Sequence, residues 1–421
     1  MDSSCVEPAG IAPVKRGLLL ALLTAAALFA ALLFAKAARQ NEIFTYDELC
    51  DYRMFILPCM TSAVPYSAPA VRPRDACYPP IAYCAVKALS ADRGVKWSLS
   101  AGEIRLLFSL LLAQCIGVVL LVRRVPWRGG RVVAAAALLL SPACICTLLR
   151  GNPSGWSFAF VCVFLCWYKS SDVGKRVAAA VALGAATSLK LTPCLFGLLY
   201  LAEAVSSPRR IPWADIFVSA ASAVLLVFLP FFFFGGVGEI SQWISNAGAN
   251  AEFYAADNPL WGFAALANHI IDSKEVGLPC IGRFAWATRV FAAVLAVAGV
   301  FARSGYRRLL CIGAAMAFLT HHDYGGAYLL PAFVAWLCDE KEGCPGVKAL
   351  LEAVAWFLIL TPLQIPNPCF CGSLNGMLQN EALLLLLLLA LLSVFWRGRP
   401  LCRRCHEKGE LIPGAGRLED D

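Results

Sequence analysis

EIRLLFSLLLAQCIGVVLLV, residues Glu103–Val122, carries no charge after Arg105. A helix of about twenty residues is roughly 30 Å long, the thickness of a bilayer's hydrocarbon core. Arg123 and Arg124 follow at once, as they do where a span reaches the cytoplasmic surface. Upstream, Lys15 and Arg16 precede a second apolar run, Gly17–Ala38. It resembles a signal peptide, but its apolar part is about twice the usual length and no convincing small-residue cleavage site follows. It reads as a retained first span with its N-terminus inside. Downstream come runs at Val132–Leu149, Gly155–Trp167, Val177–Leu189, Thr192–Ala204 and Pro212–Phe234. After a second polar segment, further runs cover Arg283–Ala302, Leu309–Thr320, Tyr324–Leu337, Val347–Pro362 and Glu381–Trp396. The expectation is an all-α polytopic membrane protein with about twelve spans, several short enough to be tilted, broken or re-entrant.

Composition agrees. Of 421 residues, 59% are hydrophobic and 15% charged, with a mean hydropathy of +0.67. A soluble chain is about a quarter charged and needs that charge to coat its surface. Soluble globular, fibrous and disordered classes are therefore excluded, and residues 1–421 read as a single integral membrane domain. The net charge of +8 points to cytoplasmic loops beside anionic membrane lipid, not to nucleic acid.

Basic clusters occur at Arg123–Arg131, Lys169–Arg176, Arg209-Arg210, Arg303–Arg308 and Arg397–Arg404. Threading about twelve spans from an inside N-terminus puts all of them in the cytoplasm, together with the basic tail 397–421. The connections 39–101, 150–154, 190–191, 235–282, 321–323 and 363–379 then fall outside together. The stretch 177–204 is the weak point, since it also reads as one bent span plus a dip.

Of the nineteen cysteines, Cys115, Cys144, Cys146, Cys162, Cys166, Cys194, Cys311 and Cys338 lie in apolar runs and behave as small buried hydrophobes. Cys50, Cys59, Cys77, Cys280, Cys369 and Cys371 fall in outer connections, where a bridge is chemically allowed but not assignable. Cys402-Arg-Arg-Cys405-His406 has haem-attachment spacing. In a cytoplasmic tail it reads instead as a zinc-binding or reduced segment.

The conspicuous polar residues gather in the outer connections. The first, 39–101, holds Asp47 and Asp51, four apart and so on one face of a helix. Prolines at 58, 65, 69, 73, 79 and 80 forbid a continuous helix there and imply a folded loop. Either aspartate is a solvated loop charge or a general base at headgroup level. Arg150-Gly151-Asn152 interrupts two apolar runs on the same side, and Lys190 stands alone in Leu189-Lys190-Leu191-Thr192-Pro193. A lysine at membrane depth costs roughly 2.5–3.5 kcal/mol, so it either snorkels or binds an anion. His321-His322-Asp323-Tyr324 interrupts another run. Adjacent histidines on a helix point about 100° apart, which favours one histidine on a phosphate or sugar over a metal site. Asn258-Pro259-Leu260-Trp261-Gly262 offers amide and aromatic groups for sugar stacking, or an interfacial anchor. There is no phosphate-binding glycine loop, no nucleophile elbow and no evident internal repeat of spans.

The ordered set is Asp51-Tyr52, Pro65-Tyr66, Tyr78-Pro79-Pro80, Gly151-Asn152, Lys190-Leu191-Thr192-Pro193 with Phe196-Gly197, Asn258–Gly262, and His322-Asp323-Tyr324 with Pro331. In order and spacing it resembles glycosyltransferase family 87, bacterial membrane enzymes of GT-C fold that include polyprenyl-phosphomannose-dependent mannosyltransferases. The resemblance implies inverting, metal-independent hexosyl transfer, without a cofactor, from a polyprenyl-phosphate sugar to a lipid or glycan acceptor on the outer face. It also implies that the first-loop aspartate is the base. Asp51 fits that place better than Asp47, because Tyr52 follows it. Lys190, Arg150 and His322 would hold the donor phosphate, and Tyr66, Tyr78, Asn152, Asn258, Trp261 and Tyr324 would line the substrate site. A transporter or flippase of lipid-linked sugars would use the same cations without a base, and an envelope assembly protein would need neither.

Overall fold

The computed structural model describes residues 14–28 in part, 49, 51–62, 65–67, 76–89, 99–126, 128–206, 212–257, 261, 278–320, 323–338, 347–361 and 374–396. Among these the regular elements are all helical. In chain order the α-helices are α1 (Leu57–Thr61), α2 (Pro80–Leu89), α3 (Ala101–Val122), α4 (Arg128–Leu139), α5 (Pro142–Leu149), α6 (Ser154–Trp167), α7 (Val173–Leu189) and α8 (Leu198–Ser206). They continue with α9 (Trp213–Phe228), α10 (Ile240–Asp257), α11 (Leu278–Phe301), α12 (Gly305–Thr320), α13 (Leu330–Cys338), α14 (Val347–Leu360) and α15 (Leu374–Trp396).

Local chemistry sets the boundaries. Ser100 and Glu103 form a reciprocal capping box at the start of α3, and the Asp172 side chain caps α7. The run expected as one span over 132–149 is two helices, α4 and α5, bent by 48°. Pro142 lacks an N–H and disfavours a helical residue before it, so Ser141 is extended and caps a new helix. Lys190 is likewise extended (φ −151°, ψ 127°). It separates α7 from a 3-10 turn, Thr192–Gly197, that holds Pro193 and leads into α8. The polar segment 235–282 contains a helix that hydropathy does not announce, α10.

Three helices, Ala101–Val122, Trp213–Phe232 and Phe284–Phe301, are long and apolar enough to cross a membrane, and the bent α4–α5 pair would be a fourth. Shorter apolar helical stretches are Pro80–Leu89, Ser154–Trp167, Thr192–Ser206, Gly325–Cys338 and Leu378–Leu392. The long helices turn bulky apolar side chains outward: Phe108 is 66% exposed, Phe217 73% and Trp286 67%. So much uncovered apolar surface suits lipid, not water. The chain is a helical membrane protein.

Side-chain contacts divide the bundle into two ends. At one, the Arg124 guanidinium donates to the Leu165 carbonyl (2.6 Å), Arg176 pairs with Asp215 (3.3 Å), and Glu203 accepts from Lys169 (2.6 Å) and Arg308 (2.8 Å). These are the basic clusters. The helices α3, α6, α7 and α9 run from there to an opposite end. At that opposite end the first-loop residues meet the 149–154 turn, Lys190 and the start of α10. A large apolar cluster fills the bundle, and a smaller one lies under the first loop, joining Tyr52, Tyr66 and Tyr83 to Leu106, Leu189, Phe231 and Trp243.

Close backbone approach needs glycine at two crossings. A Cβ on Gly184 would lie 2.5 Å from Ser222 Cβ on α9, and one on Gly313 would lie 2.5 Å from the Tyr328 carbonyl oxygen. Backbone cannot yield as a flexible side chain can, so Gly313→Ala should destabilise the protein by about 1–3 kcal/mol. Thermal unfolding of the purified variant in detergent checks this; an unchanged Tm would mean that the crossing is looser than it stands.

Candidate active site

The site is built on the four-residue turn, 150–153, between α5 and α6. Arg150 closes α5, and Gly151 takes a left-handed conformation (φ 65°) that a side chain would strain. A Cβ there would also lie 2.9 Å from Leu49 Cδ2 and 3.0 Å from Tyr52 Cβ. Glycine thus lets the first loop lie directly on the turn. The loop is anchored by backbone: the Leu49 N–H donates to the Leu149 carbonyl (2.6 Å), and the Tyr52 N–H to the Arg150 carbonyl (3.3 Å). Leu49 itself holds φ 53°, a sterically costly state for a branched residue. The π-helical turn Asp51–Ile56 follows it. Such turns are uncommon and concentrate at functional sites.

This geometry carries Asp51 into the protein, where it is 2% exposed. Arg150 Nε donates to Asp51 Oδ1 at 3.1 Å, and Arg150 Nη2 lies 3.0 Å from the same oxygen. Asn152 Nδ2 donates to Asp51 Oδ2 (2.5 Å) and to the Tyr78 hydroxyl (2.8 Å). The Asn152 carbonyl oxygen in turn accepts from the Ser154 N–H (2.9 Å) at the start of α6. This fixes the amide orientation, because its oxygen is already committed to a donor. Lys190 Nζ sits 5.6 Å from the centre of the Tyr78 ring, within cation–π range. Lys190 lies outside the membrane-crossing helices, in the break after α7. Enclosure away from water lowers its ammonium to about 8, with Cys77 and Asp51 acting in the opposite direction.

A second layer holds the first loop down. Glu239 accepts from the Tyr66 N–H (2.9 Å), the Ser67 N–H (3.1 Å) and the Ser67 hydroxyl (2.6 Å). Asn246 donates to the carbonyls of Tyr66 (2.9 Å) and Ala76 (3.3 Å), and Trp243 Nε1 to that of Cys77 (3.1 Å). The Tyr66 hydroxyl donates to the Tyr78 carbonyl (2.8 Å), so Tyr66 supports Tyr78 from behind. Arg53 forms a two-pronged pair with Glu103 (2.6 and 2.8 Å). Glu239, Trp243, Asn246 and Arg53 carry no motif and lie in polar segments, and Glu103 stands at the edge of an apolar run, so hydropathy gives no signal for them.

Five sequence-designated residues therefore meet in one place: Asp51, Tyr78, Arg150, Asn152 and Lys190. Arg150, expected on a phosphate, faces Asp51. Trp261 is 3% exposed and belongs to the larger apolar cluster, beside Gly326. Tyr324 lies on the 3-10 turn Asp323–Leu329, but its side chain, like Asp47, His322 and Asn258, lies outside the described residues. So do the Cys402–His406 motif and Cys50, Cys369 and Cys371. Cys59 is buried and Cys77 partly buried.

The helical membrane bundle thus gathers a buried carboxylate, two cations and a tyrosine at one end. The chain belongs to glycosyltransferase family 87, whose profile matches residues 77–322, more than half its length. The match spans Tyr78, Arg150, Asn152 and Lys190 and begins after Asp51, which joins them through tertiary contact. No curated protein matches the chain. As a family member it is a glycosyltransferase, acting with a sugar donor and an acceptor.

Proposed function

We propose that the protein transfers a hexose, mannose in the first instance, from a polyprenyl-phosphate donor to a lipid or glycan acceptor at the outer face of the cell membrane. The observation that carries this reading is the approach of Lys190 and the Arg150–Asp51–Asn152 group to one tyrosine, Tyr78. A donor whose single phosphate stays at the membrane surface needs a partly dehydrated cation, and Lys190 has that setting. A guanidinium carries five N–H groups, so Arg150 can hold Asp51 and still reach a phosphate oxygen. A carboxylate offers about four acceptor directions, and in this reading the acceptor hydroxyl donates along one of them to Asp51. Asp51 takes that proton as the hydroxyl attacks the anomeric carbon, in an oxocarbenium-like transition state. The phosphate leaves as an anion stabilised by the cations, so no general acid is required. Attack opposite the leaving phosphate inverts the anomeric centre. His322 assists at the phosphate, and Tyr324, Asn258 and Trp261 take part in binding the sugar. The scaffold for this is a GT-C-like bundle of about twelve spans, both termini cytoplasmic.

The direct test is turnover of synthetic short-chain polyprenyl-phosphate hexoses by purified protein supplied with candidate acceptors. Transfer with inverted anomeric configuration is expected. Transfer from a nucleotide sugar alone would refute the donor assignment. Orientation is checked by labelling cysteines introduced at 75 and 172 from outside the cell, in a background without reactive native thiols. Position 75 should react and 172 stay protected; the opposite pattern would put the site on the cytoplasmic face.

A further inference from the structure

At the basic end, far along the bundle from Asp51, the ends of α3, α6, α12 and α13 do not close. They leave a cavity of about 320 Å³, at the lower limit for a small-molecule site. Leu165, Leu309, Val334 and Ala335 give it apolar walls, while Arg124 and Cys338 stand in its lining. The Arg124 guanidinium is partly occupied by the Leu165 carbonyl (2.6 Å), and Cys338 Sγ donates to the Arg124 carbonyl (3.3 Å). Arg123, next to Arg124, and Arg303, two residues before the lining residue Gly305, are both exposed. Glu203 at this end is already bound by Lys169 and Arg308, so it does little to offset the positive rim.

We infer that this cavity is a binding site for an anionic phospholipid, with an acyl chain between the four helix ends and the headgroup phosphate on Arg124. The argument is one of complementarity. The apolar walls suit an acyl chain, and the positive rim favours an anionic over a zwitterionic headgroup. Basic pockets between membrane helices on the side of the positive loops are suited to anionic headgroups. The site lies at the other end of the bundle from the Tyr78 group and does not depend on the transfer reaction.

Native mass spectrometry of the purified full chain, titrated with phosphatidylglycerol or phosphatidylcholine in detergent, tests it. The wild type should retain one phosphatidylglycerol in preference to phosphatidylcholine. Ala335→Trp, which fills the cavity without altering charge, should abolish that retention. Arg124→Gln should weaken phosphatidylglycerol binding about fivefold, the value of one basic residue beside an anionic lipid, and remove the headgroup preference. Equal retention of the two lipids by the wild type would overturn the inference. So would unchanged retention in a folded Ala335→Trp, or the absence of any retained lipid because another part of the chain fills the cavity. If Ala335→Trp does not fold, Arg124→Gln decides alone: an unchanged preference for phosphatidylglycerol refutes the site.

Discussion

Asp51→Asn should lower turnover by a factor of about 10²–10⁴, measured at saturating donor, with donor binding largely retained. The structure adds a complication that sequence does not reveal. Arg150 and Asn152 are both donors to Asp51: Arg150 faces Oδ1 and Asn152 Nδ2 faces Oδ2. An asparagine at this position must turn its own NH₂ toward one of them. The mismatch should cost about 1–3 kcal/mol of stability, so a rate loss alone does not prove a base. The pair Asp51→Asn with Asn152→Asp separates the two effects. It restores a donor facing an acceptor and returns a carboxylate to the site, displaced by one residue's reach. Stability should recover while turnover does not. Recovery of both would mean that a charge near Arg150 is sufficient and that Asp51 is not the base. Near-normal turnover in the single variant, together with loss in Asp47→Asn, would move the base to Asp47.

Lys190→Met should weaken binding of a polyprenyl-phosphate donor by about 10- to 100-fold, the worth of one hydrogen bond to a charged group. Methionine keeps the length and apolar bulk of the stem, so the packing around the break after α7 should survive. The wild-type affinity should also depend on pH. The ammonium lies at about 8, and only its protonated form attracts the phosphate. Donor affinity is therefore full well below that value and declines as pH rises from 7 to 9. Lys190→Arg, which does not titrate in this range, should bind with no such decline. Equilibrium binding of a non-hydrolysable donor across that range checks both statements. A pH-independent wild type with unaltered affinity in Lys190→Met would mean that Lys190 serves only to snorkel, and that the phosphate is held elsewhere.

The sequence by itself determined the class of this protein. Apolar runs of span length and scant charge leave a helical membrane protein, because every backbone polar group in lipid must be satisfied within its own helix. Sequence also singled out Asp51, Tyr78, Arg150, Asn152 and Lys190, which the structure brings together. Hydropathy could not foresee the break at Ser141-Pro142 or helix α10. The first depends on a single proline within an apolar run, and the second is a helix of mixed polarity. Only the tertiary structure decided which cation meets which carboxylate. Asp51 and Asn152 are separated by 101 positions, and their contact depends on a left-handed glycine that lets two backbones touch. It likewise decided that Arg150 faces Asp51, that Trp261 is buried in the main core, and that Glu239 and Asn246 pin the first loop. Pairings of that kind rest on distance and direction in space, and a linear pattern of residue types encodes neither.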